Sequence, residues 1–252
     1  MIKQFLIPIF LLANTILAMA QDAETLMKEG LRYEQQLKDT MAIGKYAKAL
    51  LMQPSNIKAA IKCAEMSCSI GARQTNENEK RKYYLDAKNF SDAALKLDSN
   101  NVEANYITAV VFGKLTEVET SNEKIVEAVK NIKTFADRAL AINPSHGKSW
   151  FVIGKWHYEL LNLNAFKRAA VKLFYGGLPK ANIDTALAAF EKCKILEPYQ
   201  AMNYLAMAKA YNYSKQYEKA LAALQQCAKC PTLQPEDRTV KEEAKALLVK
   251  WQ

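Results

Sequence analysis

Three kinds of residue give this chain chemical scope: five cysteines, two histidines and an excess of lysine. Cys227 and Cys230 form a C-x-x-C pair, a spacing used by redox dithiols and by half-sites for zinc. A redox dithiol needs a βαβ setting and a helix N-terminus that stabilises thiolate. Here the pair falls at the end of a predicted helix, where the dipole has the opposite sign. Zinc needs further ligands, and the sequence has no second C-x-x-C. Cys193 and Cys227 stand 34 residues apart, which is one period of the repeat described below, and this points to small buried side chains in place of alanine. A Cys227–Cys230 disulfide stays open for an oxidising compartment. Cys63 and Cys68 are five residues apart and face different sides of one helix, so they are not expected to pair. Of the histidines, His146 and His157, His157 falls at a position usually aromatic and is expected to be packed. No Ser/His/Asp set, H-E-x-x-H, phosphate loop or dinucleotide fingerprint is found. The sequence therefore predicts no catalytic residue, no metal and no cofactor.

The elements that carry these residues follow from a repeat. Leu26, Gly30, Tyr33, Ala42, Tyr46, Ala49 and Pro54 fall at the offsets of a 34-residue helix–turn–helix unit. Setting that unit at 23–56 makes the rest testable. Pro54, Ser99, Pro144 and Pro198 recur at spacings of 45, 45 and 54 residues, leaving insertions of 11, 11 and 20 beyond the period. The fourth unit then starts at Gly147, with Trp150, Ile153 and Gly154 in frame, and its second helix carries Ala186, Phe190 and Cys193. The fifth starts at Ala201 and places Tyr204, Met207, Ala208, Tyr211, Ala220, Leu224 and Cys227 with no insertion. Small residues at fixed positions let paired helices approach, and large ones fill the space towards the next pair. Units two and three are weaker, and Asn105 stands where a large apolar residue is usual. Matches come in two blocks per unit, so each insertion lies between the first helix (A) and the second (B).

The insertions differ in character. Residues 74–82 (QTNENEKRK) are wholly polar and are expected to form an exposed loop. Residues 116–124 (TEVETSNEK) suit either a loop or a helix extension. Residues 162–182 are apolar and aromatic, with Phe166, Phe174, Tyr175, Gly176, Gly177 and Pro179. Helix A is expected to continue past Leu163 there, with a turn at 176–179 and Asn182 or Asp184 capping helix B. Pro235-Glu236-Asp237 starts a last helix to about Trp251, whose stripe of Val240, Ala244, Leu247 and Leu248 suits a terminal cap.

This pattern resembles the tetratricopeptide repeat over most of the chain. The resemblance implies an all-α superhelical solenoid of about five antiparallel helix pairs plus a C-terminal capping helix. Residues 149–198 also resemble the regulator of microtubule dynamics family. The resemblance rests on SWFVIGKWHYELLNLNAF, KLFYGGLP and the helix with Ala186, Leu187, Phe190, Lys192, Leu196 and Pro198. It implies the fold and an elongated helix pair, and it carries over no functional residue. Eukaryotic members associate with microtubules or organelle membranes.

Repeats of this kind bind partners in a groove lined by the inner face of each helix A. The in-frame groove positions here are Tyr106, then Lys148, Phe151, Lys155 and Tyr158, then Met202, Leu205, Lys209 and Asn212. Lysines beside aromatics suit an acidic or carboxylate-terminated peptide. The asparagine pair of the carboxylate clamp found in some such repeats is not in place. The expected partner is a protein or peptide, anionic in character.

The first residues bear on location. Lys3, the apolar stretch 5–17 and Ala18-Met19-Ala20 have the layout of a secretory signal, with Gln21 as first mature residue. The expected organisation is a signal peptide at 1–20 and one solenoid domain at 21–252, with no transmembrane segment in the mature chain. The apolar stretch is short for a bilayer span. An exported chain would sit in the periplasm or outside the cell. The formal charge of +9, or +8 without Lys3, favours anionic partners over cationic ones, and no nucleic-acid-binding motif accompanies it. The leading function is a non-enzymatic adaptor. The alternative is a structural subunit of an envelope assembly complex, against which counts the missing cysteine for a lipid anchor. A dithiol enzyme is the third class.

Overall fold

The computed structural model describes residues 6–163 and 180–251. Among the described residues it holds eleven helices and no strand. In chain order they are α1 (Leu6–Gln35), α2 (Asp39–Met52), α3 (Ile57–Ala72), α4 (Glu77–Leu97), α5 (Val102–Val118), α6 (Asn122–Ile142), α7 (Gly147–Asn162), α8 (Ile183–Leu196), α9 (Ala201–Tyr213), α10 (Tyr217–Lys229) and α11 (Asp237–Trp251). The first ten form five antiparallel pairs, and α11 packs on both helices of the fifth. This is the solenoid that the repeat frame predicts.

Close approach within a pair rests on small residues set against rings. A β-carbon at Gly154 would lie 2.6 Å from the Phe190 ring, and Gly30 presses as tightly on Tyr46. The equivalent positions in the fifth pair are Ala208 and Leu224, both fully buried. A smaller partner ring or chain thus accompanies a larger small residue, as close packing demands.

Two of the insertions lengthen helices. The third and fourth helices run for 16 and 21 residues, the fifth and sixth for 17 and 21. In the uninterrupted fifth unit each helix has 13. The polar stretch 74–82 is therefore mostly helix and not the exposed loop expected of it. Only 73–76 connects α3 to α4, and the Asn76 side chain caps α4 by accepting from the backbone N–H of Asn78 and Glu79. Glu77 and Glu79 sit in the first turn, where the dipole favours them. Polarity alone cannot separate a loop from a solvated helix face, and here the capping asparagine decides. The added turns pack on themselves, since Gly71 meets the ring of Tyr84 at 2.7 Å from a would-be β-carbon. The stretch 116–124 extends α5 and α6 in the same way, with Ser121 as cap. The seventh helix ends at Asn162, and Leu163 is extended, so helix A does not continue through it. Residues 164–179 of the apolar insertion, including the expected turn at 176–179, lie outside the described residues. Asn182 caps α8 by accepting from Thr185 N–H.

The two units without insertions share one A-to-B turn. Leu37 has φ 58° and Lys215 φ 61°, each in the left-handed region. Behind them Lys38 N–H donates to Tyr33 carbonyl and Gln216 N–H to Tyr211 carbonyl, both at 2.9 Å. This doubly bonded turn satisfies the last carbonyls of helix A.

Curvature follows from which helices touch. The A helices contact in succession, α3 with α5, α5 with α7, α7 with α9 and α9 with α11, whereas no comparable contact joins successive B helices. The A helices therefore crowd the inside of the arc and the B helices spread along its outside. No described helix is long and apolar enough to cross a membrane.

Candidate ligand-binding groove

The inner arc gathers side chains from α3, α5, α7, α9 and α11. Its N-terminal half is wired with ion pairs. Lys62 on α3 bridges Glu34 at 3.0 Å and Glu65 at 2.8 Å, and Tyr46 donates to the same Glu34 at 2.7 Å. Across the next unit, His146 Nε2 lies 3.1 Å from Glu103 Oε1. That contact is the first cause holding the Glu103 carboxyl below its ordinary range. Tyr106 is half-buried beside it, with its ring edge-on to His146 at 5.2 Å and the Lys148 ammonium 5.8 Å above it. Desolvation pushes the Tyr106 phenol well above its usual range.

The C-terminal half has a different character. Lys155, on α7, is exposed and has no hydrogen bond or ion pair among the described residues. Desolvation in the hollow of the arc lowers its ammonium below the usual lysine value, and the charge of Lys114 adds to this; Glu159 and Glu117 oppose the shift, and Lys209 contributes least. Its two neighbours are engaged: Lys114 pairs with Glu117 at 3.0 Å and Lys209 with Glu243 of α11 at 2.7 Å. Tyr158 stands edge-on to Tyr213 at 6.2 Å, and Asn212 is half-buried at the end of α9.

The expected groove residues thus divide. Tyr106, Lys148, Lys155, Tyr158, Lys209 and Asn212 keep accessible surface. Phe151 and Leu205 are 8% and 5% exposed and belong to the core between α7, α8 and α9. They carry the groove and offer it almost no surface. Met202 packs against the same core.

Sequence reasoning missed two arrangements. In three successive units the fourth residue of helix A donates to the carbonyl six positions earlier: Asn105 to Ser99 at 2.8 Å, Trp150 to Pro144 at 2.8 Å and Tyr204 to Pro198 at 3.0 Å. Asn105 is thus no misfit, because it fastens the inter-unit turn as the aromatic residues do. The second is a Ser–His–Glu chain, with His146 Nδ1 2.8 Å from Ser149 Oγ and Glu103 at the other ring nitrogen. Ser149 is fully buried in the first turn of α7, where no substrate can reach its oxygen. The chain of contacts closes the helix start and ties α5 to α7. His157 is buried, as its position implied, and accepts from Asn182 N–H at 3.2 Å.

The cysteines are poor nucleophiles. All five are buried and free. Burial pushes Cys63, Cys68, Cys193 and Cys227 up to about 12 and raises Cys230 too, the reverse of an activated thiolate. The groove holds charge and aromatic surface suited to binding.

A family model described as regulator of microtubule dynamics protein 1-3 matches residues 20–252. Regulator of microtubule dynamics protein 1 of Caenorhabditis elegans is 26% identical over 188 residues, which is 75% of this chain and 80% of the relative. Regulator of microtubule dynamics protein 3 of Xenopus laevis is 27% identical over 161 residues, 64% of this chain but only 35% of the relative. Among solved structures, a thermophilic TPR protein of Thermus thermophilus aligns with a TM-score of 0.65 at 13% identity, covering 90% of this chain and 99% of that one.

Proposed function

The chain belongs to the regulator of microtubule dynamics family, and from that premise we propose that it is a non-enzymatic scaffold whose inner arc holds an acidic segment of a partner protein. The observation that carries this is Lys155. It is an exposed residue whose ammonium makes no direct ion pair among the described residues and is partly desolvated in the hollow of the arc, with Lys114 and Lys209 near it and Glu159 and Glu117 acting on it from beyond contact distance. An incoming carboxylate would supply the direct ion pair that Lys155 lacks, and Tyr158, Asn212 and the Lys148–Tyr106 pair offer surface near it. The fold favours the same reading, since repeat solenoids present extended concave surfaces for binding.

The chain acts outside the cytoplasm in this reading. The family match starts at residue 20, next to the expected first mature residue, which leaves the signal-like stretch outside the family. The relatives' names tie them to microtubules, which an exported chain does not meet. The partner is then an envelope or extracellular protein.

The test is fluorescence anisotropy with a fluorescein-labelled hexaglutamate peptide. Lys155→Glu should weaken binding at least about tenfold, equivalent to about 1.4 kcal/mol, and binding by the parent chain should fall as salt rises. Equal affinity in the two chains, or equal affinity for a hexalysine peptide, would sink the proposal.

A further inference from the structure

The C-terminal end of α3 meets residues that are far away in the chain. The Arg73 guanidinium donates to Asp39 Oδ2 at 2.7 Å and also to Glu236 Oε1. Asp39 lies in the first turn of α2, and Glu236 immediately precedes α11, 163 residues from Arg73. One turn before Arg73, the Ser69 hydroxyl lies 2.8 Å from Asp39 Oδ2 and 2.6 Å from Glu236 Oε1. The other ion pairs among the described residues join side chains on the same helix or on helices one or two apart in the chain. This cluster alone among them ties the first two units to the far end of the solenoid, and no extensive packing between α3 and α11 accompanies it.

Its two arms differ. The Asp39 side chain is only 3% exposed, so it holds Arg73 within the first two units whatever the far end does. The Glu236 arm joins a partly exposed carboxylate to a guanidinium that is 36% exposed. Such a pair is still reached by solvent and salt, so breaking it does not require either end to unfold. We propose that Arg73, Asp39, Ser69 and Glu236 form a clasp that closes the arc of A helices on itself, and that opening of its Glu236 arm controls lateral entry to the groove. The entry half rests on the groove reading above, while the closure half stands on these contacts alone.

Closure is read without a ligand. Spin labels on the exposed positions Thr75 and Lys245 (T75C and K245C) report the gap between the α3–α4 tip and α11, since the five native thiols are buried. The parent chain at low salt should give a short, narrow distance distribution. Glu236→Gln should lengthen and broaden it while leaving helical content unchanged. Salt at about 1 M should move the parent towards the variant and leave the variant where it is. Identical distributions for parent and variant overturn the clasp.

Entry is read by stopped-flow association of the hexaglutamate peptide, which should be several-fold faster with Glu236→Gln. Longer distances with an unchanged association rate overturn the gate and leave the clasp. Failure of the peptide to bind either chain overturns the groove reading and the gate together, and the distances still decide the clasp.

Discussion

Gly154 leaves no room for a side chain, because an added β-carbon would sit 2.6 Å from two ring atoms of Phe190, itself fully buried. Neither partner can withdraw: the glycine is in mid-helix and the ring is enclosed by the core. Gly154→Ala should therefore cost about 1–3 kcal/mol through overpacking, despite the gain in helix propensity. The fifth unit suggests the compensation, since alanine faces a position held by Leu224 there. Gly154→Ala combined with Phe190→Leu should lose less stability than the two single changes added together. Urea unfolding of the four chains measures this, and simple additivity would contradict the pairing. The small and large positions were legible in the sequence because one steric demand repeats at one spacing. The turn-fastening donors were not. Asn105, Trp150 and Tyr204 do the same work with three different chemistries, so a search for residue type sees two aromatics and an exception. The groove was half legible. Spacing put Phe151 and Leu205 on the inner arc, but spacing cannot tell which inner-arc side chains the neighbouring helices cover.

At the scale of the element, the A-to-B turn separates plain units from lengthened ones. Where no insertion intervenes, helix A ends on a left-handed residue, Leu37 or Lys215, and neither is glycine. A side chain in that region costs roughly 1–2 kcal/mol. Leu37 recovers part of this by partial burial, whereas Lys215 is exposed. Lys215→Gly should accordingly raise stability by about 1 kcal/mol, with part of the gain offset by glycine's greater freedom in the unfolded chain. Thermal and urea unfolding should agree on that sign, and Lys215→Ala, which keeps the β-carbon, should show little of the gain. The second and third units, both lengthened, avoid the turn altogether and start helix B from a capping side chain, Asn76 or Ser121. That choice was hidden in the sequence because 74–82 has no apolar face to show a helical period. Its one informative feature was an asparagine placed ahead of two glutamates, a helix start whose acidic residues complement the dipole.

At the scale of the molecule, stability should run along the solenoid as a chain of neighbours, each pair resting mainly on the next. The fold class was legible for this reason, since the packed helix–helix interfaces are local and the repeat frame lists them in order. The clasp was illegible for the converse reason: no local pattern encodes a contact between Arg73 and Glu236. The last interface offers the sharpest test. The terminal helix covers the fifth unit with Val240 and Ala244 buried and with Leu247, Leu248 and Trp251 packed beside them. Ending the chain after Pro231 would strip these side chains from the core they share with α9 and α10 and leave the face they cover open to water. At roughly 1.5–3 kcal/mol for each large apolar side chain uncovered, the loss should be about 3–6 kcal/mol and should fall on the adjacent pair. Hydrogen exchange should then show protection lost across α9 and α10 and kept in α3 to α6, since only one neighbour interface has gone. Uniform loss along the chain would mean that the solenoid unfolds as one cooperative body. The same truncation removes Glu243 and Glu236 together, freeing Lys209 from its ion pair and Arg73 from its distant partner. Any binding measured on the truncated chain therefore reports a groove both more positive and unclasped, and only the single substitutions separate the two effects.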